Sequence, residues 1–196
     1  MDRRCHTFRV VRLLLVVIGA ASLASFASRC GESSAFDLAG NPIDPLKLAA
    51  GKIVVLVFVR TDCPVSNRYA PTIQRLSAEH TGTARFWLVY PSKSESAEAI
   101  RKHEQEYGYK ISALRDPQHV LVRESHVEIT PEAAVFDASR HLVYHGRIDN
   151  LYEDIGRARS APTTHELEDA MVAALAGKSL SADAIHGVGC YISDLE

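Results

Sequence analysis

The sequence predicts an α/β domain with a central mixed sheet flanked by helices. Its clearest sign is one continuous apolar run, Ile53-Val54-Val55-Leu56-Val57-Phe58-Val59. That run is too short to span a bilayer and too β-branched for a good helix, so it reads as a strand buried on both faces. Segments of helical and extended spacing then alternate along the chain, and two further apolar runs close the domain as a hairpin.

Taken in order, residues 36–43 read as a short hairpin around the Gly40-Asn41 turn. The central strand over 52–59 leads into a helix from about 65 to 80, with Ile73 and Leu76 on its apolar side. A second strand covers 85–90, where Phe86 and Trp87 are core candidates. Residues 94–107 read as a solvated helix with Ala97, Ile100 and Glu104 on spaced turns, and 118–125 as a short helix after Asp116-Pro117. The hairpin strands are 133–137 and 142–146, joined at Ser139-Arg140. The last helix opens at Pro162-Thr163, with Thr163 and Glu166 spaced as a capping box, and closes at Gly177. An irregular tail over 178–196 carries Cys190.

Residues 1–27 read as an export signal. Arg3, Arg4, Arg9 and Arg12 make a basic start, residues 13–24 are apolar, and Ser25-Phe26-Ala27 offers small residues for cleavage. An uncleaved anchor over 13–27 is the minority reading, because the apolar core falls short of the roughly 20 residues a spanning helix needs. Residues 28–34 form a polar lead, 35–177 a single domain, and the expected location is periplasmic or otherwise extracytoplasmic. The net charge of −2 leaves no basic footprint for nucleic acid. Contact with a membrane is expected only through the N-terminal segment.

Of four cysteines, Cys5 leaves with the signal, and Cys30, Cys63 and Cys190 remain. An odd number allows one disulfide and one spare thiol, and in an oxidising compartment a lone exposed thiol persists only if it is used or paired. Cys63 follows the central strand and is followed directly by Pro64, which suits the first turn of a helix. Free backbone N–H groups at such a turn lower a thiol pKa, so Cys63 is the expected nucleophile. Arg60 and Arg68 would add to that effect and Asp62 would oppose it. Ser66 reads by default as a helix-turn hydroxyl bonded to backbone. Cys190 is divided between a resolving thiol and half of a structural disulfide with Cys30. His186 and Cys190 have H-x-x-x-C spacing, but on an irregular tail it has no fixed geometry, so no metal site and no cofactor are expected.

These residues together resemble the thioredoxin-like superfamily. Within it they are similar to the exported redoxin and peroxiredoxin-like family, of the alkyl hydroperoxide reductase–thiol-specific antioxidant type, over about residues 35–192. The resemblance rests on Val59-Arg60-Thr61-Asp62-Cys63-Pro64-Val65-Ser66, on Pro71 in the following helix, and on Ile129-Thr130-Pro131-Glu132 before a strand. It rests also on Tyr144-His145-Gly146-Arg147-Ile148-Asp149-Asn150 with Gly189-Cys190-Tyr191-Ile192. It implies a three-layer fold, a cis-proline loop at Thr130-Pro131 beside the Cys63 sulfur, and pairing of that loop's backbone with an extended substrate. Ser66 stands where the second cysteine of a CxxC site would be, so the vicinal disulfide cannot form. Arg60 and Leu56 stand where the peroxiredoxin signature has threonine and proline.

The resemblance implies a thiol oxidoreductase with antioxidant function in redox homeostasis. Cys63 would attack a protein or small-molecule disulfide or a hydroperoxide, Cys190 would resolve the adduct, and an unidentified thiol would donate electrons. Peroxide reduction is one alternative. A copper-binding or partner-binding module is another, although it would need a second cysteine near the first helix.

Overall fold

The computed structural model describes residues 35–178 and 185–193. The expected signal, the lead, Cys5 and Cys30 lie outside the described residues. Among the described residues no helix is long and apolar enough to cross a membrane.

The chain opens with a hairpin, β1 (Ala35–Phe36) and β2 (Pro42–Ile43), turned at Gly40 in the left-handed region. The central strand β3 (Ile53–Phe58) leads to α1 (Pro64–Arg68) and α2 (Ala70–Glu79). Then follow β4 (Ala84–Tyr90), α3 (Ala97–Glu106), β5 (Ala113–Arg115) and α4 (Val120–Ser125). The second half holds β6 (Ile129–Thr130), β7 (Glu132–Phe136), β8 (Leu142–Gly146), the small pair β9 (Tyr152–Asp154) and β10 (Arg157–Ala158), α5 (Glu166–Leu175) and β11 (Cys190–Tyr191).

The main sheet runs β2-β1-β5-β4-β3-β7-β8. Strands β3, β4 and β5 are parallel, while β7 lies antiparallel to β3 and β8 antiparallel to β7, which makes the sheet mixed as expected. Successive side chains of β3 serve opposite faces. Val55 and Val57 pack in one core with Ile73, Leu76, Ile100, Leu167 and Met171, whereas Val54, Leu56 and Phe58 pack in the other with Trp87, Leu121 and Phe136. This gives helix, sheet and helix layers. Each of these β3 side chains gains roughly 1.5–3 kcal/mol by leaving water. The residue that follows the strand therefore stands on the best-supported base in the domain.

Three local expectations are corrected, and one strand was not foreseen. The helix over 65–80 is two helices meeting at Tyr69, because Pro71 has no N–H to continue the ladder from α1. The Thr163–Glu166 capping box does not form, and α5 begins at Glu166 with no side-chain cap. Thr163 instead gives its amide to Asn150 Oδ1 at 2.7 Å, and its hydroxyl accepts from Asn150 Nδ2 at 2.7 Å. Strand β5 went unread because three residues are too few to show a period. The tail is not irregular throughout: β11 pairs antiparallel with β6, Cys190 opposite Thr130 and Tyr191 opposite Ile129. Gly177 does close α5, at φ +68°.

Candidate active site

Beyond β3 the chain leaves the sheet, and its turn is held from several sides. The Thr61 amide donates to Glu95 Oε1 at 2.6 Å, and the Asn67 side-chain amide donates to the Thr61 carbonyl at 3.2 Å. Cys63 is the N-cap of α1, with Pro64 in the first turn and the Ser66 amide 3.5 Å from its sulfur. The helix is only five residues long, so nearby amides rather than a long macrodipole act on the thiol.

The Thr130–Pro131 peptide is cis, and the Cys63 thiol donates to the Thr130 carbonyl at 3.3 Å. Thr130 also fixes the tail, its hydroxyl donating to the Cys190 carbonyl at 3.2 Å. Cys190, half-buried, thereby lies against the core that holds Cys63, near enough for each thiol to bear on the other's ionisation. Both are free thiols.

Burial pushes the Cys63 pKa up, but the Ser66 hydroxyl, the Ser66 amide, the Cys190 thiol and the Val65 amide together bring it below the ordinary thiol value. The expected backbone bond of Ser66 is absent. Its hydroxyl is fully buried with no well-aligned partner, and its effect falls on the sulfur. Cys190 moves the other way. Burial first, and then the neighbouring Cys63 and its charge, push its pKa up to about 11. One thiol of the pair thus favours the thiolate and the other keeps its proton.

Arg60, expected to act on Cys63, is engaged beside it. Its guanidinium pairs with Asp62 at 2.8 Å, and its charge bears on Cys190, while Arg68 is exposed at the end of α1. Three further features bear on the site. Cys63 itself has no exposed surface. Behind the turn, His103 Nε2 meets Asn67 Oδ1 at 2.8 Å and His103 Nδ1 meets the Tyr90 hydroxyl at 2.9 Å. Asn67 Nδ2 already donates to Thr61, so the His103 proton sits on Nε2 and Tyr90 donates to Nδ1. Burial lowers the His103 pKa, which keeps the ring neutral.

Glu132 is the third. Its buried carboxylate accepts from the Glu128, Ile129 and Gly187 amides at 3.2, 3.4 and 2.8 Å, and it clasps the cis-proline loop to the tail. A carboxylate at the head of Glu132-Ala133-Ala134-Val135-Phe136 was the available signal, since a charge in a fully buried strand needs partners. His186 lies 3.4 Å from the same carboxylate. Among the described residues no three His, Cys, Asp or Glu side chains converge as metal ligands. The thiol pair alone does not fit the three-ligand copper set.

A cysteine capping the helix after a central strand, with its thiol against a cis-proline loop, is the arrangement of a thioredoxin-like fold. A family model described as thioredoxin-like matches residues 51–142. The fold is shared with an uncharacterised conserved protein of Geobacillus kaustophilus at 21% identity and TM-score 0.68, covering 81% of this chain and 86% of that one. A hypothetical protein of Sinorhizobium meliloti matches at 20% identity and TM-score 0.67, covering 81% and 88%. A secreted disulfide oxidoreductase of Mycobacterium tuberculosis, homologous to Escherichia coli DsbE, matches at 21% identity and TM-score 0.50, covering 74% and 94%. No curated protein matches the chain.

Proposed function

We propose that the protein is an exported thiol-based oxidoreductase of redoxin type, with Cys63 as nucleophile and Cys190 as resolving thiol. The observation that carries this reading is that Thr130 holds both cysteines, its carbonyl accepting from the Cys63 thiol at 3.3 Å and its hydroxyl donating to the Cys190 carbonyl at 3.2 Å, with the Cys63 pKa lowered and the Cys190 pKa raised to about 11. With a disulfide R–S–S–R, the Cys63 thiolate attacks one sulfur and R–S⁻ leaves with the electron pair. Cys190 gives up its proton and attacks Cys63 Sγ, the second R–S⁻ leaves, and the chain is oxidised by two electrons. With a hydroperoxide, Cys63 becomes a sulfenic acid as ROH leaves, and Cys190 condenses with it to release water. In both routes an external thiol returns the chain to its reduced state.

Export is supported by the basic and apolar character of residues 1–27 and agrees with the secreted state of the Mycobacterium tuberculosis neighbour. Thr130 and Pro131 position the reacting sulfur, and Ser66 supports its thiolate. The hydroperoxide reading gains from the burial of Cys63, which favours a small oxidant. Against it, Arg60 and Leu56 occupy the positions of the peroxiredoxin threonine and proline.

Cysteine mapping of the exported protein by mass spectrometry, before and after reduction, tests the assignment. A reversible Cys63–Cys190 bond is expected. A Cys30–Cys190 bond with Cys63 free would reduce the protein to a monothiol mechanism. Hydroperoxide consumption supported by a thiol donor separates the two substrate classes.

A further inference from the structure

We infer that the C-terminal strand β11 is a built-in occupant of the edge where a polypeptide substrate would pair, so that Cys63 reacts with a low-molecular-weight oxidant and not with a protein disulfide. This rests on the role proposed for Cys63 and adds the size class of its substrate.

The edge strand beside a reactive thiol is a ready template for an extended chain, which would bind through its main-chain hydrogen bonds. Here the template is taken. Cys190 pairs with Thr130 and Tyr191 with Ile129, and the Ile192 amide donates to the Glu128 carbonyl at 2.8 Å. The segment is anchored along its length. The Arg147 amide donates to the Ile185 carbonyl at 2.9 Å, Glu132 accepts from the Gly187 amide at 2.8 Å, and Ile192 is buried.

Side chains have been cleared to make this contact. A Cβ on Gly187 would lie 2.9 Å from the Pro131 carbonyl oxygen, and a Cβ on Gly189 would collide with the Thr130 carbonyl. At Gly146, φ is +142° and a Cβ would stand 2.7 Å from the Ile185 carbonyl oxygen. Glycine at these three places lets backbone lie directly on backbone, leaving no room for another chain between β11 and β6. With the segment seated, Cys63 has no exposed surface. A small S–S or O–O compound needs only a side-chain fluctuation to reach the sulfur, whereas a polypeptide needs the whole segment to lift.

The test is single-turnover oxidation of the reduced full-length protein by 4,4′-dithiodipyridine, by cumene hydroperoxide or by insulin, read by intact mass. Wild type is expected to react with at least one small oxidant on the order of a hundredfold faster than with insulin, as follows when the polypeptide-competent form is a small fraction of the population. Gly189→Val is expected to raise the insulin rate by about tenfold or more while the small-oxidant rate stays within about threefold. Equal relative rates for insulin in wild type and variant would overturn the inference. If Cys63 reacts with no oxidant in either protein, the assignment of the nucleophile fails and the inference with it. A second measurement needs no variant. Amide exchange at Ile192 is expected to be strongly protected in the reduced wild-type protein, and exchange at the rate of an open chain would equally overturn the proposal.

Discussion

Cys63 and Cys190 meet at Thr130, whose carbonyl accepts from the Cys63 thiol and whose hydroxyl donates to the Cys190 carbonyl, and their acidities diverge: the buried thiol is shifted down and the half-exposed one up to about 11. After Cys63 has reacted its charge no longer acts on Cys190, but burial still raises the Cys190 pKa, so resolution should be faster at higher pH. Of the groups that favour the Cys63 thiolate, the Ser66 hydroxyl has the largest effect and Cys190 acts after the Ser66 amide. Ser66→Ala should therefore raise the Cys63 pKa, Cys190→Ser should raise it less, and both should do so with the fold intact. Thiolate ultraviolet absorbance followed against pH checks the order, and a larger shift in Cys190→Ser would refute it.

How far the sequence revealed this site depended on how locally each feature is encoded. The apolar run at Ile53–Phe58 and the Cys63-Pro64 step state a strand, a turn and a helix start within a dozen residues. The cis bond at Thr130–Pro131 came through resemblance, and the candidacy of Cys190 from the odd cysteine count and its place on the tail. The docking of the tail could not be read, because β11 pairs with a strand some sixty residues earlier and its two residues show no period. Gly187 and Gly189 were visible, but a glycine that permits close approach looks the same as one in a loose tail. The Thr163–Glu166 pattern failed for a related reason: Asn150, distant in sequence, captured the threonine.

Glu132→Gln should loosen the tail without touching either sulfur. The carboxylate accepts three amide N–H groups, and a glutamine would point its own NH₂ at one or two of them. Loss of that clasp should cost roughly 1–3 kcal/mol of stability. It should also slow formation of the Cys63–Cys190 disulfide while the first attack by Cys63 persists. Denaturant unfolding together with the rate of disulfide closure gives both readings. Unchanged closure would show that the β11–β6 ladder holds the tail without Glu132.

Glu95 sets a pH dependence of its own. Burial raises its carboxyl pKa against the opposing hydrogen bond from Thr61, so the folded state holds this proton more tightly than the unfolded chain does. The unfolded chain therefore loses the proton first as pH rises, and the contribution of Glu95 to stability, complete below about 4.3, declines until the folded pKa is passed. Glu95→Gln should remove this decline while still accepting from the Thr61 amide. Stability measured across mildly acidic pH would then rise more steeply with pH in the variant than in wild type, and a shallower rise would contradict the assignment.

The chain from Tyr90 through His103 and Asn67 to Thr61 joins the reactive turn to α3, and each member has a single fitting role. Asn67→Ala leaves the His103 Nε2–H and the Thr61 carbonyl without these partners, which should cost about 1–3 kcal/mol. His103 has a lowered pKa through burial, so the unfolded chain takes up the proton first as pH falls. Its contribution is thus present above about 6.5 and is lost as pH falls through the folded pKa. His103→Phe keeps the ring contacts with Tyr107 and Tyr109 in reach but removes the titration. The variant should be less stable at neutral pH and flatter between neutral and mildly acidic pH. Asn67→Ala should keep the acid sensitivity and in addition slow attack by Cys63, because the Thr61 carbonyl no longer anchors the turn. Urea unfolding across pH with single-turnover kinetics separates the two, and equal rates in Asn67→Ala and wild type would confine the network to stability.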